Sequence, residues 1–229
     1  MANFQTHLGG AALGGGLVAS SILATGMMSL PQAISGWLLV MLGGLLPDID
    51  SDHSNVVRGL FTVFGGMISI LSIIILGADA SIGLMWLAGV VSFVTVRYGL
   101  WYIFARFTVH RGIFHSLLAG VFFSVFTTVA AFHLMALPAR VSWLMGLCLM
   151  IGFIIHLFLD ECYSVDLVNG RIKRSFGTAM KLFDYQGWIN SLWMLCLISG
   201  LVLLAPPWQE LWAIFTDADL LESLKKKLW

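Results

Sequence analysis

Charge is what this sequence has least of. Only 10% of its 229 residues are Asp, Glu, Lys or Arg, against about 25% in a soluble domain. With 59% hydrophobic residues and a mean hydropathy of +0.93, the chain cannot cover itself with a water-facing surface, which excludes a soluble enzyme and a disordered segment. Neither sign of charge is in excess, 12 basic residues against 12 acidic, so there is no basic field for nucleic acid and no acidic tail. Three cysteines imply no disulfide framework; Cys148 and Cys196 read as small apolar residues within helices, and Cys162 lies beside a polar cluster. No basic stretch precedes the first apolar run, so a cleaved signal peptide is not expected. His-Glu-x-x-His, the P-loop pattern and Gly-x-Ser-x-Gly are all missing, which argues against a zincin-type protease, a nucleotide-binding loop and a nucleophile elbow.

What the chain has instead is long apolar runs. A helix needs about 20 mostly apolar residues to cross the hydrocarbon core, and from Met1 to Pro47 there is no Asp, Glu, Lys or Arg. That stretch breaks near Ser29-Leu30-Pro31, where proline punctuates, giving expected spans at 8–28 and 33–46. Further runs follow at 60–77, 82–104, 113–137, 141–159 and 188–205. The expectation is an all-α, polytopic helical membrane bundle of about seven spans over 1–206. Gly10 and Gly14 give the first span a small-residue face for close packing. The remaining segment, 207–229, carries Trp208, Leu211, Trp212, Phe215, Leu220, Leu221, Leu224 and Leu228 at helical spacing, then Lys225, Lys226 and Lys227. It reads as an amphipathic segment lying in the interface.

In so apolar a chain the polar residues are the informative ones, because ionisable groups at membrane depth are expensive and rare. Five of the six histidines fall in four short clusters: Thr6-His7, then Pro47 to Ser54 with Asp48, Asp50, Asp52 and His53, then His110 to Ser116, then His156 to Asp160. Counting crossings of seven spans places all four at one membrane face. His156 and Asp160, four residues apart on a helix, project from one side, and an imidazole and a carboxylate so placed can share a divalent metal; they also suit a helix end and an arginine partner. Asp48, Asp50 and Asp52 repel one another unless a cation sits among them, although a solvated turn uses the same residues. His110 and His115 flank Arg111, a fork of donors suited to phosphate or carboxylate, or equally a positive-inside anchor. His133, deep in the fifth run and toward the opposite face, reads as a hydrogen-bonded interhelical residue.

Thr-His, then Leu-Pro-Asp-x-Asp, then His-Arg-x-x-x-His-Ser, then His-x-x-x-Asp, in this order from Thr6 to Asp160, resemble the YdjM-type family of bacterial membrane-bound metal-dependent hydrolases. That family is similar, distantly, to zinc-dependent phospholipase C and the single-strand-specific zinc nucleases. The resemblance implies a ligand set of His7, Asp48, Asp50, His110, His115, His156 and Asp160 for two or more divalent ions, Zn2+ or alternatively Mn2+. It places Arg111 and Ser116 beside them and carries Asp52 and His53 as extensions of the Asp motif.

The function expected is metal-dependent hydrolysis of a phosphate ester, the partner being a membrane lipid or a lipid-linked substrate. Arg111 would stabilise developing negative charge, and Asp50 or Asp52 would take a proton from water. The loop 166–181, with Arg171, Lys173 and Arg174, offers contacts for an anionic substrate or marks the cytoplasmic side. Arg58, Arg106, Arg111, Arg171, Lys173, Arg174 and Lys181 on the motif face favour a cytoplasmic orientation in a bacterial inner membrane. Two other classes fit the same residues: a transporter whose His and Asp side chains bind a cation in transit, and a structural protein with a stabilising metal. Carriers place their sites near the bilayer midplane, whereas these clusters lie at span ends.

Overall fold

Every apolar run becomes a helix in the computed structural model, which describes residues 3–50, 55–76, 80–102, 113–166, 171–172, 180–185, 187–217, 222–223 and 226. The helices are α1 (Phe4–Ala24), α2 (Leu30–Gly43), α3 (Asn55–Leu76), α4 (Ile82–Val94), α5 (Leu117–His133), α6 (Ala139–Cys162), α7 (Trp188–Leu204) and α8 (Trp208–Thr216). A short 3-10 turn, Leu46–Asp50, follows α2, and α4 runs on into a π-helical stretch, Thr95–Leu100. Strand structure among the described residues is a two-residue antiparallel ladder pairing Val165 with Ile172 and Asp166 with Arg171.

Helix boundaries follow local chemistry. Asn3 caps α1 by accepting from the Thr6 N–H at 2.8 Å, and Ser81 caps α4 in the same way. Pro31 ends nothing. It sits in the first turn of α2, where its missing N–H is no loss, and the Gln32 side chain accepts from the Ser29 N–H at 2.9 Å. The second helix therefore starts and stops three residues earlier than the apolar run predicts. Ser116 caps α5 through the Ala119 N–H, which delays that helix to Leu117 although the apolar run begins at Ile113.

Among the described residues, three helices are long and apolar enough to cross a membrane: α1, α4 with its π-helical extension, and α6. The pair α7 and α8 passes the same test together but is bent by 89° at Ala205–Pro207, and α2 and α5 are shorter apolar helices. The seven expected runs all exist as helices, and among the described residues three of them meet the length test, or four spans if the bent pair is counted as one.

The chain divides into two compact units, one of residues 1–47 and 113–229, the other of 48–112. In the smaller unit α3 packs on α4, where Ser72 and Ser92 hydroxyls meet at 2.8 Å and Gly89 admits Ser69 and Ile73. In the larger unit α6 is central and packs on α1, α2, α5 and α8. Its backbone touches that of α2: a Cβ on Gly43 would collide with the Leu149 carbonyl, and one on Gly152 with the Val40 carbonyl. Gly10 and Gly14 receive Leu159 and Ile155, so the small face of α1 is used against α6. Phe153 and Leu157 are fully buried along α6. Toward its N-terminal end a core of Met28, Ala33, Ala131, Val141, Trp143, Leu144, Met145 and Ile214 closes the bundle.

Candidate metal centre

The C-terminal end of α6 carries the larger unit's buried polar cluster. His156 and Asp160 lie one turn apart with their side chains on the same face, as the i, i+4 spacing requires. Helix α1 delivers His7 against them, because Asn3 starts that helix one turn before the histidine. His115 arrives from the turn that precedes Ser116, the cap of α5. The four side chains are 0–6% exposed.

Three imidazoles surround one carboxylate. His7 Nε2 lies 3.2 Å from Asp160 Oδ1, His115 Nε2 lies 3.3 Å from Oδ2, and His156 Nε2 lies 3.8 Å from Oδ2. The His7 and His156 rings are stacked, with centroids 3.7 Å apart, and His115 meets His156 edge-on at 5.3 Å. The His156 tautomer is fixed from behind. Nδ1 is 2.7 Å from the Gly44 carbonyl, an acceptor only, so Nδ1 carries the proton and the Nε2 lone pair faces Asp160. A metal-ligating histidine is held in just this way, by donating its other ring N–H to a backbone carbonyl. The glycine contact between α2 and α6 makes the bond possible: Gly152 is one turn before His156, and Gly43 precedes Gly44.

This donor set fits a divalent cation better than it fits itself. Ligand atoms on a tetrahedral ion with bonds of about 2.0–2.1 Å are about 3.3 Å apart, which is the spacing of His7 and His115 nitrogens from the carboxylate oxygens. His7, His156 and Asp160 each offer a ligand atom, all within 4.8 Å of one another. His7 Nε2 approaches Asp160 outside hydrogen-bond geometry, and His7 Nδ1 and His115 Nδ1 are buried with no hydrogen-bond partner among the described residues. A buried polar atom left unsatisfied costs about 1–3 kcal/mol. A cation bound by the Nε2 atoms and the carboxylate would neutralise the buried Asp160 and engage His7 Nε2.

Three of the four sequence clusters therefore meet here, through His7, His115 and the pair His156 and Asp160. Asp48 and Asp50 lie in the 3-10 turn Leu46–Asp50, where the second unit begins. Asp52, His53, His110, Arg111 and Arg174 lie outside the described residues. Ser116, which the resemblance set beside the ligands, is fully buried and donates to the Ile113 carbonyl at 2.5 Å while capping α5. His133 is an interhelical residue, with Nε2 2.7 Å from the Leu204 carbonyl.

Two features of the site are not legible as motifs. One is the Gly44 carbonyl, whose only trace in the sequence is the Gly43-Gly44 pair ahead of Pro47. The other is a strap over the start of α5: the Leu117 and Leu118 N–H groups donate to the Lys181 and Leu182 carbonyls at 2.9 and 3.0 Å. That strap is held by the Lys181–Asp184 ion pair at 3.3 Å and by Ser191, whose hydroxyl bonds both the N–H and the carbonyl of Asp184. It fixes the turn that carries His115.

No curated protein and no solved structure matches this sequence. A family match covers residues 1–215 and so includes every side chain of the cluster, all of α1 through α7 and most of α8. On that match the chain belongs to the YdjM inner membrane protein family.

Proposed function

We propose that the protein is a polytopic, membrane-bound, metal-dependent hydrolase of a phosphate ester carried by a lipid or lipid-linked substrate. The observation that supports it is the ring of His7, His115 and His156 around Asp160, buried at the end of a long apolar helix. Nitrogen-rich sites with one carboxylate suit zinc, and manganese is the alternative. The sequence motifs add Asp48, Asp50 and His110 as further donors, enough for a second ion.

A divalent metal in such a site supplies Lewis-acid polarisation of a phosphoryl oxygen and brings the pKa of a bound water toward 7. The chain's own residues do the rest. His156, held by Gly44, keeps its Nε2 lone pair aimed into the site, and Asp160 offsets the positive charge there. Arg111, by its place in the motif, would offer a guanidinium fork to the non-bridging phosphoryl oxygens and stabilise the charge that grows on them. Asp50 or Asp52 would accept the proton released when water attacks phosphorus, while the P–O ester bond breaks and the leaving alcohol takes up a proton from solvent. A site at a helix end suits a substrate whose phosphate lies at the bilayer surface while its tail stays in lipid.

Detergent-solubilised protein should release product from a phospholipid or a generic phosphodiester. That activity should disappear on chelation, return with Zn2+ or Mn2+, and be absent in Asp160→Asn. Bound metal without turnover of any phosphoester would reject the hydrolase and leave a structural or transported ion. A protein that binds no metal would reject the site altogether.

A further inference from the structure

We propose that α8 lies flat in the headgroup layer of a phospholipid bilayer, at the face opposite the histidine cluster, and anchors the bundle there. The helix has two distinct sides. Ile214 is buried and Leu211 packs with it against the core of Met28, Val141, Trp143 and Met145. On the other side Trp208, Trp212 and Phe215, at i, i+4 and i+7, are 66%, 63% and 57% exposed. The two tryptophans, whose indoles carry a polar N–H, favour the boundary between headgroups and acyl chains.

Three further observations select a lipid surface at that depth over a buried or aqueous position. The 89° bend at Ala205–Pro207 turns α8 across the direction of α7, as a helix lying in the membrane plane requires. The charged groups around it form one set: Arg140 Nε is 3.2 Å from Glu210 Oε2, and Arg140 Nη1 is 3.6 Å from Asp217 Oδ2. These groups are 33–42% exposed, a state that suits an interface and is disfavoured in hydrocarbon. Finally, Arg140 and Asp160 are twenty residues apart on the continuous helix α6, a rise of about 30 Å, which matches the thickness of the hydrocarbon core. Charge at both ends and apolar residues between them assign the two ends of α6 to the two interfaces. Trp143 Nε1 and the Pro207 carbonyl, 3.2 Å apart, tie the bend to the same end.

The test uses the full chain reconstituted in phosphatidylcholine–phosphatidylglycerol vesicles, in a Cys162→Ser, Cys196→Ser background. Spin labels at Trp212→Cys and Phe215→Cys should report a depth within about 5–10 Å of the headgroup–acyl boundary. A label at Leu197→Cys, on the exposed face of α7, should report hydrocarbon depth. Readings of bilayer-centre depth at positions 212 and 215 would make α7 and α8 one broken span, and full aqueous accessibility would make α8 a soluble appendage; either overturns the proposal. In sealed vesicles of uniform orientation, a membrane-impermeant maleimide should label Tyr163→Cys and Thr216→Cys from opposite sides. Labelling of both from one side also overturns it. Gln209→Cys, on the exposed face of α8, provides a third depth position that replaces no packed side chain. Neither measurement needs metal or substrate, so a failed hydrolase assay leaves the result standing.

Discussion

The two ends of α6 are both polar, and they handle polarity in opposite ways. At the N-terminal end Arg140 is shared by Glu210 and Asp217, all one-third to two-fifths exposed, and His133 closes on the Leu204 carbonyl. Water screens these charges and each has a partner of opposite sign or complementary role. Toward the C-terminal end one carboxylate faces three imidazoles, none more than 6% exposed, with His7 Nε2 in no hydrogen bond among the described residues. The first arrangement is complete as it stands, and the second offers buried ligand atoms that could hold a cation. Polar residues at a helix end are therefore not in themselves the mark of a site. What distinguishes one is burial together with donor atoms that the protein does not satisfy.

The comparison is broken most severely at Asp160. Asp160→Asn keeps the shape and removes the anion, so metal content by plasma mass spectrometry should fall to background, an affinity loss greater than the about 100-fold that second-sphere changes reach. Retention of metal in this variant would mean that the carboxylate is a structural partner of the histidines only. Next in size is removal of the ion from the native protein. A ligand at about 100 times its Kd stabilises by about 2.7 kcal/mol, so chelation should lower the thermal midpoint by several degrees, and added Zn2+ should restore it. An unchanged midpoint would put the two ends of α6 on the same footing.

Gly152 sharpens the comparison from the packing side. Gly152→Ala forces α2 from α6 and draws the Gly44 carbonyl from His156, with an expected destabilisation of about 1–3 kcal/mol. Loss of the hydrogen bond behind His156 should in addition weaken metal binding about 10- to 100-fold; stability lost with affinity unchanged would detach Gly44 from the site. The smallest effect belongs to the exposed end. Arg140→Ala removes a screened ion pair worth about 0–1 kcal/mol and should leave metal content as it was.

The fold was legible to the extent that it is local. Hydropathy marked out each of the seven runs that become α1 to α7, and cap chemistry explains the shifts at Ser29 and Ser116. Pro31 marked the break between α1 and α2 but not the start of α2, because its preferred place is the first turn of the next helix. The spacing of His156 and Asp160 announced a shared face, since helical periodicity is a property of neighbouring residues. His7 had no local signal beyond its position. Gly44 had even less, because a backbone carbonyl has no residue type, and Lys181 and Asp184 belong to a loop whose hydrogen bonds join distant segments.

By itself the sequence determined that this protein lives in a membrane, because charge so scarce leaves no other solvent, and that five of its six histidines fall in short clusters beside apolar runs. Which of them meet was decided by tertiary structure. Helices α1, α2 and α6 come together where Gly10, Gly14, Gly43 and Gly152 let side chains and backbones close in, and that approach brings His7 and the Gly44 carbonyl to His156 and Asp160. Hydropathy and helical period act over a few residues, whereas a metal centre depends on the crossing of helices far apart in the chain.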